Sequence, residues 1–302
     1  MSSSPADAIK AVPVRHWGRW LSAGVVLALV AWLVASAVHA HFIDFAVVRK
    51  YQFNSLILRG LWATIVLAVL AQVTGIVLGV VFAVMRLSKN PVMNAVSSFY
   101  IGFFRGTPVL VQLLFWFNGV PLVFRTLTIA IPFTHVTLYS TKMTDFMTAF
   151  MAAFLGLALN EGAYMAEIVR AGIISVDEGQ VEAASALGMT STLTLRRIVL
   201  PQAMRVIVPP TGNEFISMLK TTSLASAITY GELLRRAGDI YSVNFQVVPL
   251  LVVASVWYLV LTSIASTVQY YIERRYARGR MRTPTETALM RLVKVMAQRP
   301  RL

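Results

Sequence analysis

The stretch SVDEGQVEAASALGMTSTLTLRRIVLP, residues 175–201, is a polar insert between two strongly apolar segments. Its beginning has the pattern of a helix N-terminus. Ser175 can cap a helix while Glu178 reaches back to it, and Asp177 with Gln180 offers the same capping box two residues later. The sequence therefore predicts a short helix at the start of this insert.

The second half of the insert predicts another short helix. Gly188 can end the first helix, because glycine adopts the left-handed backbone conformation without steric cost. Thr190 or Ser191 can start the next helix, which we expect to stop before Pro201. Together these signals predict a rigid helical hairpin at one face of a membrane.

Seven residues of this insert have the order and spacing of a known motif. The order is EAA, three residues, Gly, nine residues, Ile, one residue and Leu-Pro; the positions are Glu182, Ala183, Ala184, Gly188, Ile198, Leu200 and Pro201. This pattern resembles the cytosolic EAA loop of permease subunits of binding-protein-dependent ABC importers. The flanking runs GAYMAEIVRAGI and PQAMRVIVPP extend the similarity. In that family the loop helix docks into a cleft of the ATPase, so the resemblance implies that these residues couple ATP hydrolysis to transport.

The residue types fit such a docking helix. Two alanines followed by Gly188 leave part of the helix with little side-chain bulk, so that another backbone can approach it. An ordinary loop helix in which alanine serves only helix propensity is the alternative.

Composition places the chain in a membrane. Hydrophobic residues make up 57% and charged residues 13% of the 302 residues, against about 45–50% and about 25% in an average soluble domain. The absence of cysteine excludes disulfides, thiolate metal sites and cysteine redox chemistry. A net charge of +14 would suggest nucleic acid for a soluble protein, but here the positive-inside rule explains it, and no nucleic-acid partner is expected.

Apolar segments predict an all-α integral membrane protein with about six transmembrane helices. They cover residues 18–38, 55–85, 108–120, 146–169, 206–230 and 246–272. The first could be a signal peptide, but its length suits a spanning helix better. With both termini in the cytosol, 19 of the 27 Lys and Arg residues lie on the cytosolic side. The resemblance adds the type I ABC importer permease fold with its EAA coupling-helix loop.

Three parts of the chain are expected. Residues 1–54 form an N-terminal cytosolic segment, an extra transmembrane helix and an external loop. Residues 55–273 form the type I permease domain. Residues 274–302 form a basic cytosolic tail, in which Thr283-Pro284 predicts the start of a helix that could bind anionic headgroups.

Local signals refine the spans. Gly75 and Gly79 form a GxxxG pair that allows close helix contact, and small residues repeat at four-residue spacing in the 146–169 span. Asn90-Pro91 and Thr107-Pro108 each predict a helix start, and the helix after Asn90 is expected at the cytosolic interface. Residues 121–145 are mixed in character and predict an external loop with a short helix at most.

The fifth apolar segment carries the candidate translocation path. It is interrupted by Pro209-Pro210, and we expect a broken helix that lines a cavity. Lys220 lies near its middle, where an ionisable group is a functional candidate. Lys220 could attract the carboxylate of a zwitterionic substrate and Glu161 its amino group, while hydroxyls come from Thr221, Thr222 and Ser223. Alternatively, Lys220 forms a structural ion pair with Glu214 or Glu161.

Two runs resemble polar amino-acid permeases in particular. FFRGTPVLVQLLF, residues 103–115, is typical of the permeases for histidine, glutamate, glutamine, arginine and opines. MLKTTSL, residues 218–224, is similar as well, but the family usually has an acid where this chain has Thr221. The resemblance implies a permease that translocates polar amino acids delivered by an extracytoplasmic binding protein, with another small polar solute as the alternative.

The remaining expectations follow from motifs that the chain lacks. No GxxxxGK[ST] phosphate loop occurs, so the chain is not an enzyme; a separate ABC ATPase dimer binds ATP and Mg, and this chain binds no cofactor. His39 and His41 near Asp44 lack further ligands, so no metal site is predicted. An ion-coupled secondary transporter is a further alternative, but no repeat supports it. The expected partners are a second permease copy or a homologous permease, the binding protein and the lipid bilayer of the bacterial inner membrane.

Overall fold

The computed structural model describes residues 17–39, 43–131 and 137–276. The α-helices of this part are α1 Trp17–His39, α2 Phe45–Tyr51, α3 Ser55–Leu87, α4 Pro91–Gly106, α5 Val109–Leu114, α6 Val120–Val123, α7 Met143–Phe146, α8 Ala149–Ile174, α9 Glu178–Ala186, α10 Ser191–Thr194, α11 Leu200–Thr221, α12 Leu233–Asn244 and α13 Val247–Tyr276. Two π-helical turns, Phe115–Gly119 and Leu195–Val199, join α5 to α6 and α10 to α11. A 3₁₀ helix, Thr222–Ile228, extends α11, and the strands are β1 Thr126–Ala130 and β2 Thr137–Lys142.

Three of the described helices, α3, α8 and α13, are long and apolar enough to cross a membrane. Helices α4 and α5–α6 are bent by 103° relative to each other and together could form a fourth span. The mainly helical membrane fold that the sequence predicts is confirmed. The count of six spans stays a prediction, as does the helix expected in the basic tail, which lies outside the described residues.

The centre of the fold is the crossing of α3 and α8. A Cβ atom built on Gly75 would overlap the side chain of Glu161, and one built on Gly79 would overlap Met165. The two backbones therefore approach as closely as the GxxxG pattern allows, which confirms the close contact predicted for it.

Helix α4 packs beside this crossing. Ser97 Oγ donates to the carbonyl oxygen of Phe82 at 2.7 Å, and the hydroxyl of Tyr100 donates to the carbonyl oxygen of Leu159 at 2.7 Å. The rings of Phe82 and Tyr100 stack with their centroids 3.7 Å apart. These contacts fix α4 against both α3 and α8.

The two predicted helix starts have different outcomes. Asn90 caps α4, since its side chain accepts from the N–H of Val92 at 2.9 Å, which confirms that start. Thr107 does not cap: its hydroxyl donates to the carbonyl oxygen of Phe103 at 2.8 Å, and α5 begins at Val109 without a side-chain cap. That start was wrong in detail because Thr107 ends α4.

The segment expected to be an external loop contains a β-hairpin that the sequence did not predict. Strands β1 and β2 pair antiparallel, with Thr126 opposite Lys142 and Thr128 opposite Ser140. A bulge lies between Ile129 and Ala130. The expected short helix is present as α7, directly after the hairpin.

The fifth segment is not broken at its prolines, which is a correction. Helix α11 runs through Pro209 and Pro210 without interruption, and the backbone changes to a 3₁₀ helix only at Thr222. Side chains support the proline-containing turns, because Thr211 Oγ1 donates to the carbonyl oxygen of Ile207 at 2.8 Å and Gln269 Nε2 to that of Pro209 at 3.0 Å. Proline removes the donors to the carbonyl oxygens of Arg205 and Val206, and the two side-chain bonds hold the adjoining turns.

Helix α12 is held against α13 by the buried Glu232 and against α3 by Thr64. The Glu232 carboxylate caps α12 by accepting from the backbone N–H groups of Leu234 and Arg235 at 2.8 and 2.6 Å. It also accepts from the hydroxyl of Tyr258 at 2.7 Å, while Thr64 Oγ1 accepts from the N–H of Leu233 at 3.1 Å. Burial raises the pKa of the Glu232 carboxyl, and these hydrogen bonds act in the opposite direction.

Candidate functional site

The polar insert forms a defined turn between α9 and α10. Gly188 has φ +73°, its N–H donates to the carbonyl oxygen of Ser185 at 2.9 Å, and the N–H of Met189 donates to that of Ala184 at 3.0 Å. This pair of bonds is a Schellman motif, in which the left-handed residue is usually glycine. The prediction that Gly188 ends the first helix is confirmed.

The helix starts of the insert differ in part from the sequence expectation. Thr190 caps α10 by accepting from the N–H of Leu193 at 3.4 Å, as predicted. Ser175 does not cap α9, because its hydroxyl donates back to the carbonyl oxygen of Gly172 at 2.7 Å. Asp177 is the residue before α9, without a side-chain cap bond.

The second helix does not stop before Pro201, which is a correction. The chain passes from α10 through the π-helical turn into α11, with Pro201 in the first turn of α11. The π-helical turn directly before Pro201 changes the local hydrogen-bond pattern, and the helix continues past this residue, which has no backbone donor. The expected hairpin is therefore one short helix, α9, beside a long continuous one.

The seven motif residues are distributed over both sides of this turn. Ala184 is 3% exposed and faces the protein, whereas Glu182, Ala183 and Gly188 are exposed. Leu187, next to Gly188, is 81% exposed. Ile198 lies in the π-helical turn, and Leu200 with Pro201 begins α11. The apolar end of α9 is thus free to contact another protein.

A cavity of about 330 Å³ lies between α5, α8 and α11. Apolar side chains form one part of its wall. Its polar lining residues are Asn160, Glu161 and Tyr164 on α8, and Glu214, Ser217 and Thr221 on α11. A volume of this order suits a small ligand, since ligand pockets usually measure about 300–1,000 Å³.

Much of the donor capacity of this lining is already used inside the protein. Asn160 Nδ2 donates to the carbonyl oxygen of Phe104 at 2.8 Å and to Gln112 Oε1 at 3.5 Å. Thr221 Oγ1 donates to the carbonyl oxygen of Ser217 at 3.0 Å. The oxygen atoms of Asn160 and Thr221 remain as acceptors, so these positions suit ligand groups that donate hydrogen bonds.

Acidic residues outnumber basic ones in the described lining of the cavity. Glu161 and Glu214 both line it and repel each other. Among the lining residues that the structure describes, none is basic. Arg105 is not a lining residue, but its guanidinium lies 5.1 Å from the centroid of the Tyr164 ring, and it attracts Glu214. The described lining of the cavity is therefore acidic, and the Arg105 guanidinium lies next to one of its residues, Tyr164.

The residues proposed for the translocation path are only partly brought together. Glu161 and Thr221 line the cavity. Lys220 is exposed at the end of α11 and is not part of the lining. Thr222 is buried, with its hydroxyl donating to the carbonyl oxygen of Leu219 at 2.8 Å, and Ser223 lies beyond it in the 3₁₀ helix.

Sequence reasoning missed Asn160 and Ser217 as cavity residues and Arg105 as a neighbour of the lining, and it treated Glu214 only as a structural partner of Lys220. A signal was present in the spacing. Glu214, Ser217 and Thr221 recur at intervals of three and four residues, which places them on one helical face. Arg105 carried no such signal, because its place depends on the bend between α4 and α5.

These features define a class of protein. A membrane fold of long apolar helices surrounds a small polar cavity, and a stiff exposed helical turn projects from it. Such an arrangement suits a transport subunit that works with another protein.

Comparisons with known proteins identify the family. Residues 75–278 match the family described as binding-protein-dependent transport system inner membrane component. The arginine transport system permease protein ArgU of Corynebacterium glutamicum is 46% identical over 292 residues, 96% of this chain and 90% of that protein. The L-cystine transport system permease protein TcyB of Bacillus subtilis is 39% identical over 230 residues, 76% of this chain and 90% of that protein.

Solved structures agree with this result. A crystal structure of an amino acid ABC transporter with histidines has a chain 37% identical, with a TM-score of 0.66, covering 77% of this chain and 99% of that chain. The MetNI methionine ABC transporter, at 19% identity and a TM-score of 0.59, shares the fold.

The chain belongs to the family of binding-protein-dependent transport system inner membrane components. It is a multi-pass permease subunit and not an enzyme, and the ATPase of such importers is a separate subunit. An ATPase and a binding protein are therefore its general partners. This confirms the resemblance that the EAA spacing indicated.

Proposed function

We propose that this chain is the permease subunit of an ATP-driven importer in the bacterial inner membrane, and that its substrate is an amino acid with a cationic side chain. One observation carries the choice of substrate: two carboxylates, of Glu161 and Glu214, line a small cavity that has no basic lining residue in the described part of the chain. The name of the relative at 46% identity, an arginine transport permease, supports the same choice.

The cavity chemistry fits both ends of such a substrate. A guanidinium or ammonium group donates several hydrogen bonds and neutralises the paired negative charges of Glu161 and Glu214. The acceptor oxygens of Asn160 and Thr221 complete its surroundings. The carboxylate of the substrate meets Arg105, which takes the role that the sequence assigned to Lys220.

The coupling to ATP runs through the polar insert. A separate ABC ATPase dimer binds ATP and Mg, and the seven residues from Glu182 to Pro201 form its docking site on this chain. The Schellman turn at Gly188 supports this role, because it fixes the direction of α9. A second permease copy or a homologous permease completes the pathway, and an extracytoplasmic binding protein delivers the substrate.

The test of the substrate class uses arginine and its uncharged isostere citrulline. Binding of each radiolabelled ligand is measured on the purified complex without the binding protein. We expect Glu161→Gln and Glu214→Gln each to weaken arginine binding by about 30-fold or more, because removing one member of a buried charge pair costs about 2–5 kcal/mol. Citrulline binding should change much less, since its ureido group is neutral.

Glu167→Gln is the matched control. Glu167 lies on the same helix, two turns from Asn160, and pairs with Arg170 at 2.7 Å outside the cavity. It should leave the preference for arginine unchanged. If both cavity variants keep the native preference for arginine over citrulline, the proposed substrate class is wrong.

A further inference from the structure

Gln72 on α3 is a buried polar residue with no role in the function described so far. It lies three residues before Gly75 in the α3–α8 crossing, and its side chain is 5% exposed. Its Nε2 donates to Oε1 of Glu161 at 2.9 Å. Gln72 therefore contacts the cavity carboxylate from behind, on the side away from the ligand space.

The orientation of the Gln72 amide depends on the charge of Glu161. Its Oε1 is buried and has no hydrogen-bond partner among the described residues. A buried acceptor without a donor is unfavourable. Turning the amide over would place that oxygen against an ionised carboxylate. The two oxygen atoms would repel each other, which is less favourable than leaving the amide oxygen unpaired. With Nε2 toward Oε1 of Glu161, the amide stabilises that carboxylate when it is ionised.

Glu161 needs this stabilisation because its surroundings oppose its charge. Glu161 is 4% exposed, and the neighbouring carboxylate of Glu214 repels its carboxylate. A buried carboxylate is unstable unless donors compensate for the lost water. In the described part of the chain, Gln72 is the donor to this carboxylate.

Helix α3 also fixes where the Glu161 side chain lies. A Cβ atom at position 75 would overlap Cγ of Glu161, so Gly75 makes the space in which that side chain runs. One turn of α3 thus supplies both the space for the Glu161 side chain, at Gly75, and the hydrogen bond to its carboxylate, from Gln72. The second oxygen of Glu161 is left for a ligand in the cavity.

We propose that Gln72 is a positioning residue of the transport site: it holds Glu161 ionised and in place, and so sets the preference of the cavity for a cationic ligand. Gln72 need not touch the substrate to do so. The inference rests on the proposed function, because it assumes that Glu161 binds the cationic group.

The experiment compares Gln72→Met with the native complex, reconstituted with its ATPase. Methionine is similar in length but has no donor. We expect arginine binding to weaken about tenfold, the effect of one hydrogen bond to a charged group, and citrulline binding to change less than threefold. In a Glu161→Gln background, Gln72→Met should have no further effect on arginine binding, because the two residues act through one carboxylate.

Ser97→Ala is the matched control. It removes another buried hydrogen bond of α3, the one from Ser97 to Phe82, away from the cavity. It should lower thermal stability without changing the ratio of arginine to citrulline affinity. A change in that ratio equal to the change in Gln72→Met would show a general packing effect and overturn the proposal.

The outcomes separate the two proposals. If Glu161→Gln and Glu214→Gln do not alter the preference for arginine, the proposed substrate class fails and the role of Gln72 fails with it. If those variants lose the preference and Gln72→Met keeps it, only the role of Gln72 is overturned.

Should Gln72→Met not assemble, Gln72→Asn withdraws the amide by about 1.5 Å, one carbon–carbon bond. A native preference in that variant would equally overturn the proposal.

Discussion

The α3–α8 crossing and the polar insert before α11 are both stiff, but for opposite reasons. The crossing is held by contacts between residues far apart in the sequence, such as Gln72 with Glu161, and by glycines that let two backbones meet. The insert is held by bonds between near neighbours, such as Met189 with Ala184. The crossing can therefore shape a cavity, and the insert can keep its shape while most of its surface stays free for a partner.

The largest effect is expected from breaking the crossing. Gly75→Leu places a branched side chain where Glu161 lies, so the helices must separate. Overpacking costs about 1–3 kcal/mol, and more where two backbones have to move. We expect a strongly lowered melting temperature or no folded complex, measured by thermal unfolding in detergent.

Gly102→Leu is the control for that variant. It introduces the same side chain on α4, where a Cβ atom meets nothing within 4 Å. It should melt within a few degrees of the native protein. Equal melting temperatures for the two variants would show that the crossing is not closely packed.

A smaller effect on stability, but a loss of transport, is expected from the insert. Gly188→Val forces a β-branched residue to φ +73°, and a left-handed residue of this kind costs about 1–2 kcal/mol. The turn should change shape while the spans stay folded. We expect substrate-stimulated ATPase activity and uptake to fall to near background in proteoliposomes, with the melting temperature little changed.

Gly188→Asn is the matched variant, since asparagine tolerates the left-handed conformation. It should keep most of the transport activity. Full coupling in the valine variant would instead show that the shape of the turn does not matter for the ATPase.

The smallest effect separates the two candidates for binding the substrate carboxylate. Arginine is compared with agmatine, which lacks that carboxylate. Arg105→Gln should reduce the preference for arginine over agmatine about tenfold, since a hydrogen bond to a charged group contributes about 1.5 kcal/mol. Lys220→Met should leave it unchanged, because Lys220 is exposed outside the cavity. If Lys220→Met reduced the preference for arginine over agmatine and Arg105→Gln did not, Lys220 would be the residue that binds the substrate carboxylate.

The difference between contacts of near neighbours and contacts of residues far apart in the sequence explains which features could be predicted. The cap at Asn90 and the end of α9 at Gly188 follow from local backbone chemistry, and both were found. The GxxxG contact was also found, because small residues at helical spacing have few other uses in a membrane helix.

Features that depend on distant residues were not found. Pro201 and Pro209-Pro210 were expected to end or break helices, but the chain passes through a π-helical turn before Pro201, and α11 continues through Pro209 and Pro210. Lys220 was placed in the path from its position along the segment; it is exposed and is not among the residues that line the cavity, and its place in the path stays a prediction. The hairpin needs the pairing of two strands that have no strong alternation of apolar and polar residues.

Helix α11 connects the polar insert to the cavity. Leu200, which belongs to the motif proposed for coupling, begins it, and Glu214 of the cavity lies 14 residues later, about 21 Å along the axis at 1.5 Å per residue. Between them, Pro209 and Pro210 lack the donors of two backbone hydrogen bonds, which weakens the helix at that turn. If the insert docks on an ATPase as proposed, any movement of it reaches Glu214 through this turn, which the Gln269 side chain ties to α13.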